Sequence, residues 1–386
     1  MRRLYLHIGA HKTGTTTLQR TLQLNRPYLC QQGYDYGCSS LFPNLHLHVG
    51  PGQGASFLPS GFKVTNPEGL IADLTAGTRD RVIGSSENFS FFFSAAAVRD
   101  LADLLRPYFG EVRIISYLRR QDFHAISHHQ EGAKPNRAPE GALWGHAAAA
   151  LPVWSPTQDL YLDYAARLAP WAEAFGAENL MIRAYDRSLL KDGDIVADFL
   201  SLLGLGSTSL QTTANQNVSL GAAQAKIGHL MAENGVKAEV ASTVLKGMPR
   251  TGRLRPSRKE AQDFLARYVG SNQRLNAQFR ITDLPDLFDP DFSDYPEVAE
   301  TDWTEETAAE AFRAVLPHLD GSTPNLTFVD LRTAAEVLQK NKPDMALRFV
   351  RAALAQRPNG PALLKLQGGL EQRLGLSSLT APPNTD

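Results

Sequence analysis

The chain has 386 residues, of which 43% are hydrophobic and 20% charged, and its formal net charge is −1. That length suits one large domain plus a smaller one, the composition is that of an ordinary globular protein, and a near-neutral total gives no electrostatic ground for nucleic acid or an anionic membrane surface as partner. No run approaches the roughly 20 apolar residues of a membrane span, too few apolar residues follow Met1-Arg2-Arg3 for a signal peptide, and the two cysteines, Cys30 and Cys38, lack metal-ligand spacing, so the expected compartment is the cytoplasm.

Leu4, Leu6 and Ile8 with Tyr5 and His7 between them read as a short buried strand, and the pattern from Thr15 to about Leu24 reads as a helix. The intervening turn leaves backbone N–H groups unpaired at the positive end of a helix dipole, an arrangement that suits phosphate. Gly14 allows close approach of an anion, Thr15, Thr16 and Thr17 add hydroxyl donors, and Lys12 adds a full charge. An ordinary strand-to-helix turn is the alternative reading of the same residues.

From Tyr28 to Ser60 no period is sustained, and a loop region over the site is expected. It holds His46 and His48, which on a strand would share one face; they read as structural histidines or as acid/base groups for an acceptor. Asp80 to Gly84 reads as a second parallel strand running into Ser85-Ser86-Glu87. In an open α/β sheet Glu87 then projects toward the crevice of the Lys12 turn, as a proton acceptor or as a loop partner.

A helix from Ala95 to Pro107 precedes the strand Val112 to Leu118, which feeds into Arg119-Arg120 and a helix carrying Ser127. A guanidinium fork at a strand end, with a hydroxyl two turns into the next helix, suits a second phosphate, and Arg120 is the substitute should Arg119 point elsewhere. His124, His128 and His129 on that helix read as solvated or acceptor-facing, and no metal is expected. Lys134 to Ala150 reads as a loop or loose helix, Leu160 to Phe175 as a helix, Leu180 to Ala184 as a strand and Ile195 to Leu205 as a helix capped by Gly204. The alternation predicts an α/β, P-loop-like three-layer fold with a central parallel sheet, and a small all-α C-terminal region.

Residues 215–219 mark a junction, and Arg250, Arg253, Arg255, Arg258 and Lys259 form a basic cluster that reads as a solvated face or a lid. Eleven acids and no lysine or arginine occupy Asp283 to Glu310, which places an exposed acidic connector at 296–325. Ala334, Ala346, Ala353 and Pro358 fall at small-residue and proline positions of a 34-residue tetratricopeptide repeat, with Leu364 and Gly368 opening the next. The expected organisation is a domain at 1–295, the connector, a repeat-like or simple helical hairpin at 326–376 that binds a protein partner, self-associates or leans on the main domain, and a disordered tail at 377–386.

His11-Lys12-Thr13-Gly14-Thr15-Thr16 departs from the Walker pattern by placing lysine before the glycine. In this it resembles the 5′-phosphosulfate loop of the sulfotransferase family, P-K-S/T-G-T-T or, in many bacterial sequences, H-K-T-G-T-T. Arg119 with Ser127 is similar to that family's 3′-phosphate element, without its intervening Asn-Pro, and Ser85-Ser86-Glu87, Tyr185-Asp186 with the Ile195 to Leu205 run, and Ser271 to Leu275 resemble further elements. The resemblance covers roughly residues 1–295. It implies transfer of a sulfuryl group from 3′-phosphoadenosine 5′-phosphosulfate, without metal, to a hydroxyl or amine, by family habit in bacteria a carbohydrate or glycolipid. It further implies that His11, Lys12, Thr13, Gly14, Thr15, Thr16 and Thr17 hold the 5′ side and Arg119 and Ser127 the 3′-phosphate. Lys12 then stabilises the leaving group, and Glu87, or else His46 or His48, is the base. A nucleotide kinase with an atypical P-loop, and an inactive scaffold acting through its tail, are the alternatives.

Overall fold

The computed structural model describes residues 2–37, 45–51, 58, 61–207, 210–211, 219–301, 303–316 and 328–376. Cys38, most of the 215–219 junction, Asp302 and the 377–386 tail lie outside the described residues.

The strands are β1 (Arg2–His7), β2 (Tyr34–Tyr36), β3 (Val49–Pro51), β4 (Phe62–Val64), β5 (Arg81–Ser85), β6 (Phe109–Leu118) and β7 (Leu180–Ala184). Five of them form one parallel sheet in the order β2-β5-β1-β6-β7, while β3 and β4 pair as a separate antiparallel ribbon. In β1 the side chains alternate between two cores, as the two-residue period of a strand requires. Leu4 and Leu6 pack with Val98 and Leu101 of the Ala95–Leu105 helix and Leu168 and Trp171 of the Tyr164–Phe175 helix. Tyr5 packs on the opposite face with Leu18 and Leu22 of the Thr15–Leu24 helix and Phe199 of the Ile195–Leu202 helix. The fold is therefore three-layered α/β, as expected.

The chain passes from β1 to one side of the sheet and returns to the other side at β6, so the switch point lies at β1. His7 is in register with Ser85 of β5 and Ile115 of β6. The segments leaving these three strands thus emerge at one edge, where ligands of open α/β sheets sit.

Several local expectations are corrected. The helix expected over Leu160 to Phe175 is broken at Asp163, whose carboxylate accepts the N–H of Ala166 at 3.0 Å and caps a new helix. Tyr34–Tyr36, read as loop, is the edge strand of the sheet, whereas the Lys134 to Ala150 stretch holds the helix Ala138–Trp144, one of the two readings given for it. The expected 296–325 connector carries the helix Glu305–Val315, opened by a Thr304/Thr307 capping box. That helix buries Ala308, Ala309 and Ala311 beneath its acidic face. Of the two readings of the basic cluster, the exposed pairs Arg255 with Glu300 and Arg258 with Glu297 fit the solvated face rather than a free lid, and the acidic stretch neutralises part of it.

Beyond residue 327 the helices Phe328–Leu338, Pro343–Gln356 and Pro361–Arg373 share a core of their own. Ala334, Ala346 and Ala353 lie buried where these helices meet, which lets them approach closely.

Candidate active site

The turn after β1 is held against β6: Ala10 N–H donates to the Tyr117 carbonyl at 2.9 Å, and Tyr117 N–H to the Gly9 carbonyl at 2.7 Å. Thr13 Oγ1 donates to the Ala10 carbonyl at 2.7 Å and closes the turn, so its hydroxyl serves the loop itself. Gly14 sits in the left-handed region at φ 77° as the N-cap of the Thr15–Leu24 helix. A Cβ there would meet Ile195 Cγ2 at 3.1 Å, so glycine is required both by conformation and by space. No side chain caps this helix and no acid lies in its first turn. The first-turn N–H groups of Thr15, Thr16 and Thr17 therefore keep their donors for an anion.

Lys12 is itself left-handed at φ 60°, and its ammonium donates to Glu131 Oε1 at 2.8 Å. Lys134 Nζ lies 2.6 Å from the same oxygen and Arg137 3.8 Å from the other. Burial alone would raise the Glu131 carboxyl, but the charges of Lys12 and Lys134 more than offset this and hold it at about 2. Burial presses the Lys12 ammonium below its ordinary value, against the pull of Glu131. The residues around Glu131 went unnoticed in the sequence. One signal was available: Glu131 follows Ser127 by four residues on the same helix, so the two share a face.

Arg119 Nη1 donates to the Lys12 carbonyl at 3.3 Å, which brings the two anion-binding motifs into direct contact. Its guanidinium forms no ion pair among the described residues, and burial pushes it below its ordinary value. Arg120 does not duplicate it. It grips Asp122 through two bonds of 2.9 and 2.8 Å, donates to the Asp289 and Asp291 carbonyls and lies 4.2 Å from the Phe123 ring centroid. It is a structural tie between the crevice helix and the start of the acidic stretch. Ser127 lies on the Gln121–Gly132 helix, half-buried.

His11 is committed to protein partners. Its N–H donates to Tyr161 Oη at 3.0 Å, its Nδ1 lies 2.8 Å from the same oxygen, and its ring stacks on His128 with centroids 4.8 Å apart. Burial lowers it to about 3. His124 and His128 are fully buried beside Trp144 and Tyr161 rather than solvated or acceptor-facing, and burial drives both well below the ordinary histidine value. His129 lies instead against His229 with centroids 4.1 Å apart. Among the described residues no group of three or more His, Cys, Asp or Glu is arranged to hold a metal ion.

At the end of β5, Glu87 accepts from Gln19 Nε2 at 2.7 Å and lies 3.3 Å from His46 Nε2. His46 Nδ1 is 2.7 Å from Ser86 Oγ, and Gln19 reaches Ser85 Oγ at 3.2 Å. Burial would raise the Glu87 carboxyl, but the charge and hydrogen bond of His46 win and hold it well below the usual carboxylate range. His48 does not join this group: the pair sits on a single 3-10 turn rather than on a strand, and His48 Nε2 bonds Asp73 Oδ2 at 2.8 Å instead. Gln19 was overlooked in the sequence although it falls four residues after Thr15, on the same helix face.

A loop of free N–H groups, a lysine and an arginine thus meet at one strand edge, and a carboxylate-imidazole pair stands at the end of the adjoining strand. No family model matches the chain. A protein of Archaeoglobus fulgidus, described as uncharacterized, is 32% identical over 95 residues, which is 24% of this chain. The match spans only 22% of that protein's length. A crystal structure of a sulfotransferase from Alicyclobacillus acidocaldarius is 17% identical, covers 73% of this chain and 97% of its own, and superposes with a TM-score of 0.39, too loosely to bear on chemistry.

Proposed function

We propose that the chain transfers a sulfuryl group from 3′-phosphoadenosine 5′-phosphosulfate to a hydroxyl or amine, with a carbohydrate or glycolipid as the acceptor class. The observation that carries this reading is the contact of Arg119 with the Lys12 carbonyl. It joins two anion cradles, an uncapped helix N-terminus with a lysine and a half-buried guanidinium with no ion-pair partner among the described residues, in one crevice. A donor with two separated anionic groups fits that arrangement, and an uncapped turn free of acids suits its phosphosulfate.

In this reading the acceptor oxygen attacks sulfur in line, the S–O bond to the 5′-phosphate breaks, and the acceptor proton passes to Glu87. The products are a sulfate ester, or a sulfamate where an amine nitrogen attacks, and the 3′,5′-bisphosphate. By analogy with phosphoryl transfer, positioning and charge stabilisation supply most of the rate. Lys12 exchanges Glu131 for the bridging oxygen as negative charge builds there. Thr15, Thr16 and Thr17 hold the 5′-phosphate, and Arg119 with Ser127 holds the 3′-phosphate. Glu87 is a weak base, which suffices where the proton leaves late, and His46 and Gln19 keep its carboxylate oriented.

The deciding experiment is a thermal-shift titration with 3′-phosphoadenosine 5′-phosphate against ADP and ATP. Stabilisation by the 3′-phosphorylated nucleotide alone, lost in Arg119→Ala, supports the reading. An equal response to ADP or ATP overturns it in favour of a kinase, and no response to any favours a scaffold.

A further inference from the structure

Away from the crevice, a cavity of about 330 Å³ lies between the Ala222–Glu233 and Ala238–Gly247 helices, the Glu305–Val315 helix and the Phe328–Leu338 helix. Its size falls within the range of small-molecule pockets, roughly 300 to 1,000 Å³. The walls are mainly apolar, with Met231, Val240, Phe312 and Leu331 among them, and Asn234, Thr333 and Asp330 add polar groups beside Lys226. An apolar space left without a partner forfeits the dispersion contacts of its lining.

Among the described residues one cation faces this cavity. Lys226 lines it, donates to the Ala148 carbonyl at 3.0 Å, lies 5.6 Å from the Trp303 ring centroid, and has no carboxylate partner among the described residues. An ammonium carries three donors, so two remain for a ligand. Among the described lining residues the carboxylate is Asp330, which comes from the Phe328–Leu338 helix, whereas Lys226 comes from the Ala222–Glu233 helix. Burial depresses the Lys226 ammonium, and an anion paired with it would reverse that shift.

We propose that this cavity binds a single-chain anionic amphiphile, a medium-chain carboxylate, with its alkyl chain among the apolar walls and its head group on Lys226. The charge complementarity and the apolar enclosure together select this ligand: a neutral alkane leaves the ammonium unpaired, and a hydrophilic anion leaves the walls bare. The site is separate from the sulfuryl-transfer reading and does not depend on it.

The test is calorimetric titration of the full chain with decanoate and with decanol, followed in parallel by tryptophan emission, since Trp303 lines the cavity. Decanoate is expected to bind saturably at one site per chain. Lys226→Gln is expected to weaken decanoate at least roughly tenfold, the loss of one charge-assisted contact, and to leave decanol unchanged. Val240→Trp, which fills the cavity from a half-buried position, is expected to abolish both. The proposal is overturned by no saturable decanoate binding, by decanoate affinity indifferent to Lys226→Gln, or by binding that survives Val240→Trp. Self-association that decanoate does not displace would assign the surface to a second copy and overturn it likewise.

Discussion

Lys12 and Lys134 converge on one oxygen of Glu131, at 2.8 and 2.6 Å, so the carboxylate occupies the cations that an anionic donor would need. Glu131→Gln removes that competitor. Affinity for 3′-phosphoadenosine 5′-phosphate should rise several-fold by calorimetry, while the ligand-free protein loses about 1–3 kcal/mol of stability as buried charges lose their partner. Unchanged or weaker nucleotide binding would refute the exchange of partners.

Lys12→Ala should separate turnover from binding. An interaction that strengthens as charge develops lowers kcat, here by roughly 10²–10³, with less than about a tenfold change in nucleotide affinity. Comparable losses in both would make Lys12 a binding residue only.

Arg119 and Arg120 are neighbours with opposite commitments. Arg119→Ala should leave the melting temperature of the ligand-free protein nearly unchanged and erase the preference for a 3′-phosphate. Arg120→Ala strands the fully buried Asp122, which also accepts from Tyr295 Oη at 2.8 Å, and should cost about 3–5 kcal/mol in denaturant unfolding.

Glu87→Gln should abolish most turnover while nucleotide binding persists, and His46→Ala should lower turnover less. His48→Ala, which breaks only the bond to Asp73, should alter stability but not the rate per folded molecule. Because Glu87 is held below the usual carboxylate range, it stays ionised as pH falls through about 4.5. Acid loss of activity between pH 6.5 and 4.5 therefore reports unfolding and not its titration, which a parallel circular-dichroism series can establish.

Acid should unfold the protein early. Burial lowers His7 and His129 to about 4 and His11 and His229 to about 3, so between pH 6.5 and 4 the unfolded chain binds protons that the native chain refuses. Stability then falls as pH falls, each fully buried ring contributing about 1.4 kcal/mol per pH unit. A melting temperature constant from pH 7 to 5 would contradict this.

What the sequence discloses is mostly periodic or local. Leu4 and Leu6 alternating with Tyr5, glycine at position 14 and arginine after Leu118 each follow from a strand's two faces or from a turn's conformation. The Glu131 cluster is not periodic: Lys12 and Glu131 stand 119 positions apart, and only tertiary packing unites them. The Glu305–Val315 helix is hidden for another reason, because its acids advertise solvent while alanines on the opposite face make the contact. His46 and His48 would share a face only on a strand; the chain makes a 3-10 turn there, which sends the two rings to different partners.

The position of β1 at the middle of the sheet governs how the protein comes into being. Its hydrogen-bonding neighbours are β5 and β6, so β1 is synthesised well before either of its partners. Such distant pairing is slow to nucleate and leaves Leu4, Leu6 and Tyr5 unprotected during synthesis. Arg119, just past β6, supplies the donor to the Lys12 carbonyl. A nascent chain shorter than that cannot bring Arg119 to the Lys12 carbonyl, so this contact reports that β1 and β6 have paired.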